Sequence, residues 1–136
     1  MDLVELIGRL LFVTMFVNSG VTHIRHRETM VAYARSTGGP APEVLVPATG
    51  VMILAGGILI ALGVFADLGA LLIAAFLVPV AYYMHAFWRI DDAMMRANQH
   101  AHFMKNMSLA GAAIALFALY QQFADHLWML TGPLFG

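Results

Sequence analysis

Residues 44–88 read "VLVPATGVMILAGGILIALGVFADLGALLIAAFLVPVAYYMHAFW", and one charge, Asp67, interrupts them. A helix that crosses a bilayer needs about 20 mostly apolar residues. The stretches on either side of Asp67, 44–66 and 68–88, each reach that length without a charged side chain. Two spans joined so briefly must be antiparallel neighbours across a tight turn.

Working outward, residues 106–124 form a third charge-free stretch. Toward the N-terminus, 10–22 is too short alone. Extension back to Leu3 gives a spanning length that takes in Glu5 and Arg9. These two are four apart, so they share a helix face and can pair. A buried charge without a partner is costly, so Arg9 should face the bundle or an interface. The spans are therefore placed at about 3–24, 44–66, 68–88 and 106–124. The expected fold is all-α: a single-domain integral-membrane four-helix bundle.

The composition agrees. The chain has 136 residues, 61% of them hydrophobic and 11% charged. Soluble domains average roughly 45–50% apolar and about 25% charged. A net charge of −1 leaves no electrostatic footprint for nucleic acid. Cysteine is absent, which excludes disulfides, thiol catalysis, Fe–S clusters and thiolate metal sites. The start, "MDLVELIGRL", is acidic and lacks the basic region of a signal peptide, so the first span is expected to stay as an anchor.

With four spans, segments 23–43 and 89–105 lie on one side. They carry Arg25, Arg27, Arg35, Arg89, Arg96 and Lys105, against Arg9 opposite. The positive-inside rule puts both segments in the cytoplasm and both termini in the periplasm. Each segment is expected to hold a short interfacial helix. One covers "RETMVAYARSTG" (27–38), ended by Gly38, Gly39 and Pro40. The other covers 91–103, capped by Asp91 or Asp92, with Asp92 pairing to Arg96 and Met94 and Met95 dipping into lipid or bundle. Together they would form a lid over the bundle mouth. Small residues at helical spacing, Gly57 with Ala61, Ala70 with Ala74 and Gly111 with Ala115, suit close helix packing in lipid. Pro79 should kink its span. The tail "LWMLTGPLFG" (127–136) should lie along the outer interface or dock on a partner.

Five of the six histidines, His23, His26, His85, His100 and His102, fall on the basic side; His126 does not. Neutral imidazoles bind zinc, copper, iron and haem iron, and Glu28, Asp91 and Asp92 could complete a shell. No His-Glu-x-x-His spacing is present. A second reading is a quinone or other small polar ligand, held by a histidine or by Tyr82 and Tyr83 against Phe87 and Trp88. The plainer reading stands beside both: histidine and aromatic side chains collect at membrane interfaces because one end is apolar and the other wet.

Three stretches carry a family resemblance: "GRLLFVTMFVNSGVTHI", "AYARSTGGPAPEVLVPATGVMILAGGILIALG" and "HAFWRIDDAMMRANQHAHFMKNMSLAGAAIAL". In this order and at these lengths they resemble the DoxX family over nearly the whole chain. The family-like positions are Arg9, Asn18, Gly20, His85, Phe87, Trp88, Phe103, Lys105 and Asn106. The resemblance implies a four-helix protein of the bacterial inner membrane. The family takes its name from a subunit of a thiosulfate:quinone oxidoreductase, and other members are linked with thiol and oxidative-stress handling. Lys105 and Asn106 open the last span near the level of His85, so a contact between them is expected.

Two functions follow. The first is an accessory subunit of a redox or respiratory-type complex that shapes a quinone or cofactor pocket. Its partners would be the lipid bilayer, other membrane or redox subunits, or further copies of itself. A chain this small is not expected to catalyse alone. The alternative is a quinone- or haem-binding oxidoreductase subunit with its site in the histidine layer. Haem would need two facing imidazoles, His23 or His26 with His85. A transporter ranks last, because paired broken helices and intramembrane charges are lacking.

Overall fold

The computed structural model describes residues 2–136. It contains α1 (Asp2–Arg25), α2 (Arg27–Ser36), α3 (Pro42–Leu62), α4 (Ala66–Met84) and α5 (Ala93–Phe123), with 3-10 turns at Phe87–Arg89 and Ala124–His126. No strand occurs among the described residues. Helices α1, α3, α4 and α5 are long and apolar enough to cross a membrane. The all-α four-span architecture expected from the hydropathy pattern is the observed one.

The helices pack in chain order: α1 chiefly on α3, α3 on α4, and α4 on α5. Phe16, Ile53, Ile60, Ile73, Leu77 and Tyr120 are fully buried between them. Two glycine contacts set the approach. A Cβ on Gly20 would lie 2.7 Å from the Leu54 Cβ and 2.8 Å from the Gly50 carbonyl oxygen, so α1 and α3 touch at backbone distance. A Cβ on Gly69 would lie 2.7 Å from the Gly56 oxygen, which does the same for α3 and α4. Lipid supplies no hydrophobic force between helices, so such close packing carries the association. Of the expected small-residue pairs, Gly57 meets Val17, and Ala70 and Ala74 are buried. Gly111 and Ala115 are exposed on the outer face of α5, and a Cβ on Gly111 would meet nothing within 4 Å.

The turn between α3 and α4 lies ahead of Asp67. Gly63 takes a left-handed conformation (φ 66°). Its N–H donates to the Ile60 carbonyl, and the Val64 N–H to the Leu59 carbonyl. This is how a C-terminal glycine satisfies carbonyls that the helix leaves open. Asp67 therefore sits in the first turn of α4, buried, where a carboxylate suits the positive end of the helix dipole.

At the basic end, α2 forms as expected and ends at Gly38, whose φ is 83°. It is tied to α3 by Arg35, which pairs with the Glu43 carboxylate, and by Arg27. Pro47 lacks the N–H that would serve the Glu43 carbonyl; Arg27 Nη2 donates to that oxygen at 3.1 Å.

The second short helix is not separate. The expected helix at 91–103 is the first part of α5, which runs unbroken from Ala93 to Phe123. "AMMRANQHAHFMK" holds no glycine or proline and several strong helix formers, so nothing stops the helix before the span begins. Asp92 caps it, accepting from the Met95 N–H at 2.7 Å. Arg96 turns back instead of pairing with Asp92; its guanidinium donates to the Ile90 and Asp91 carbonyls, each at 2.8 Å. The expected two-helix lid is thus one helix, α2, beside the projecting start of α5. Helix α4 continues through Pro79 to Met84.

Candidate functional site

A cavity of about 380 Å³ opens at the basic end of the bundle. Its walls are mostly apolar and come from α1, α3 and α4, among them Met15, Phe16, Leu45, Met52 and Val80. Met30, Tyr33 and Ala34 of α2 lie across one side. The polar groups are few and gathered: Ser19 and His23 from α1, Thr49 from α3, Tyr83 and His85 at the end of α4, and Lys105 and Asn106 from α5. No carboxylate is among the lining residues.

Each of these side chains is set by its neighbours. His23 Nδ1 lies 2.8 Å from the Ser19 carbonyl one turn back, and its ring stands edge-on to Phe76, with centroids 6.0 Å apart. His85 ends α4, and its Nδ1 lies 2.8 Å from Gln99 Oε1 of α5. The His85 ring also stacks on His102, centroids 5.2 Å apart. Gln99 and His102 are three apart and so share the α5 face that meets His85. Thr49 donates to the Leu45 carbonyl at 2.6 Å. Pro79 removes the helical donor from the Ala75 carbonyl, and Ala75 lines the cavity.

Asn106 stands apart from the others. It is only 4% exposed and lines the cavity. Among the described residues no hydrogen-bond partner meets its amide. The side chain is thus positioned where a ligand or water can satisfy it.

His23, His85, Lys105 and Asn106 are brought to one cavity. Tyr82 and Trp88 are not; they are exposed and form an outward cluster with Phe87 and Phe103, Tyr82 to Trp88 at 5.5 Å and Trp88 to Phe103 at 5.7 Å. Tyr83 faces the cavity in place of Tyr82. His26 is exposed at the α1–α2 junction, and His100 packs edge-on against Phe87 at 4.7 Å. His85 bonds to Gln99 and not to Lys105 or Asn106, although the Lys105 charge lies near enough to act on the ring. No three His, Asp or Glu side chains converge as a metal centre among the described residues. Of the five histidines only His23 and His85 line the cavity, while His102 stacks on His85 and His26 is exposed.

The opposite end holds a second polar cluster that hydropathy did not reveal. Asp67, fully buried, accepts from Gln121 Nε2 at 2.7 Å and from the backbone N–H groups of Leu134 and Phe135. Arg9, 4% exposed, lies 3.6 Å from Glu5 and donates to the Trp128 carbonyl at 2.9 Å. Leu130 and Thr131 donate to the Gly63 carbonyl, and the Thr131 hydroxyl accepts from the Phe65 N–H. The tail at 127–136 therefore docks on its own bundle. The signal in the sequence was Asp67 itself, a lone carboxylate between two apolar spans.

Four apolar helices around a small cavity define a multi-pass membrane protein that contacts the lipid bilayer. The DoxX family model matches residues 4–86, more than half of the chain, and the chain belongs to that family. The matched segment ends at residue 86, so the family-like residues Phe87, Trp88, Phe103, Lys105 and Asn106 lie outside it. No curated protein and no solved structure matches the chain.

Proposed function

We propose that this protein is an accessory subunit of a redox or respiratory-type complex in a bacterial inner membrane, and that its cavity holds a quinone or a similar membrane-soluble amphiphile. The observation that carries this reading is the cavity: about 380 Å³, apolar along its walls and polar at one end. Small-molecule sites typically run about 300–1,000 Å³ with a few convergent polar groups. Lys105 and the Asn106 amide are donors for a carbonyl head group, and the apolar walls suit a tail. The basic end would face the cytoplasm, since the opposite end has only Arg9.

The test is gentle native purification, with co-purifying proteins identified and the lipid extract searched for quinones. A stable membrane partner together with enriched quinone supports the reading. A lone, colourless oligomer without quinone overturns it. Haem is the second reading, because His23 and His85 both line the cavity. It requires a Soret band in the purified protein, and its absence removes haem. For orientation, tags on both termini should be reached from the periplasm; tags that are shielded there reverse the assignment.

A further inference from the structure

The hydrogen bonds around the cavity specify more than an amphiphile. A backbone carbonyl can only accept, so the contact from His23 Nδ1 to the Ser19 carbonyl at 2.8 Å requires the hydrogen on Nδ1. In the neutral ring this leaves Nε2 as an acceptor. At His85, Nδ1 faces the Gln99 amide oxygen at 2.8 Å, which likewise places the hydrogen on Nδ1. Two imidazoles tied back in this way present lone pairs, and both line the cavity. The unpartnered Asn106 amide can donate and accept. A head group with only carbonyl oxygens meets Lys105 and the amide N–H groups but leaves both imidazole lone pairs without a hydrogen.

We infer that the cavity selects an amphiphile whose head group carries a hydroxyl donor, a phenol or an alcohol, over one that only accepts. The inference rests on the proposed ligand cavity and names the class of head group it takes. A hydrogen bond made by one head group and missed by the other corresponds to up to about a tenfold difference in affinity, so the discrimination should be readable.

The experiment uses the full-length protein in nanodiscs, with binding read by thermal shift and tryptophan fluorescence. The probes share a decyl tail: a hydroquinone kept reduced, the matching quinone, the hydroquinone dimethyl ether, decanol and decanoate. The expected result is a hydroquinone that binds about tenfold tighter than the quinone and the dimethyl ether. Decanol matching the hydroquinone also supports the inference and points to an aliphatic alcohol as the source. Equal affinity for quinone and hydroquinone overturns it and leaves the cavity reading standing. Decanoate as the tightest probe also overturns it, because Lys105 rather than the imidazoles then sets the choice. No binding by any probe overturns both. His23→Phe should reduce the ratio of hydroquinone to quinone affinity. Gln99→Leu, which frees the His85 ring outside the apolar walls, should lower it independently of any folding defect at His23.

Discussion

Asp67 and Asn106 are both buried polar residues of membrane-spanning helices, yet they stand in opposite states. Asp67 is saturated by Gln121 and two backbone N–H groups of the tail. Asn106 has an amide that no described residue meets, facing a cavity. Substitution should separate them. Asp67→Leu removes the acceptor and should cost about 1–3 kcal/mol, since Gln121 and two tail N–H groups lose their partner. Thermal unfolding in detergent and limited proteolysis would read this as a lower midpoint and faster cleavage within 127–136. Asn106→Leu removes a group that was never paired, so stability should hold or rise while binding of a cavity ligand weakens. A lower unfolding midpoint for Asn106→Leu would show that the amide has a structural partner. Neither state was legible from residue type: the sequence marked Asp67 as a break and Asn106 as the opening of the last span. A partner sixty-seven positions away, such as Leu134 for Asp67, leaves no local pattern.

Among the elements, the glycines and α5 are the most informative. Gly20 and Gly69 lie at backbone contact, whereas Gly111 faces outward. Gly20→Val or Gly69→Val should force helices apart and cost about 1–3 kcal/mol or more. Gly111→Ala should be neutral or stabilising by up to about 1 kcal/mol, from helix propensity alone. The spacing of small residues in the sequence gave candidates for contact but not their facing, because facing depends on which neighbour each helix meets. Helix α5 is 31 residues long, roughly 46 Å at 1.5 Å per residue, against a hydrocarbon core of about 30 Å. Its start, with Met94 83% exposed, should stand clear of the bilayer. A cysteine at Met94 should react quickly with a water-soluble maleimide, and one at Ile114 should react slowly. Equal rates would place the whole helix at one depth. Hydropathy located the span and missed the extension because a polar helix and a polar loop look alike to an apolar-length test.

At the scale of the whole molecule the two ends divide the labour. The Asp67 end is closed, with the tail held on Gly63, Arg9 and Asp67. The basic end holds the cavity with its histidines, Lys105 and Asn106. Tail removal before Leu127 should therefore lower the unfolding midpoint and expose the Asp67 carboxylate, yet leave the cavity's relative affinities for different head groups unchanged. A shift in those relative affinities on truncation would couple the ends.

The number of spans, the helical class and the basic side came from composition and run length, and the placement of α2 from its Gly38, Gly39 and Pro40 stop. These depend on transfer of each residue between water and lipid, which is a local property. The pairing of His85 with Gln99, the outward turn of Tyr82 and Trp88, the capture of the tail by Asp67 and the free amide of Asn106 were decided only by tertiary structure. Each depends on the rotation and approach of helices far apart in the chain, set by glycine contacts whose partners no local pattern specifies.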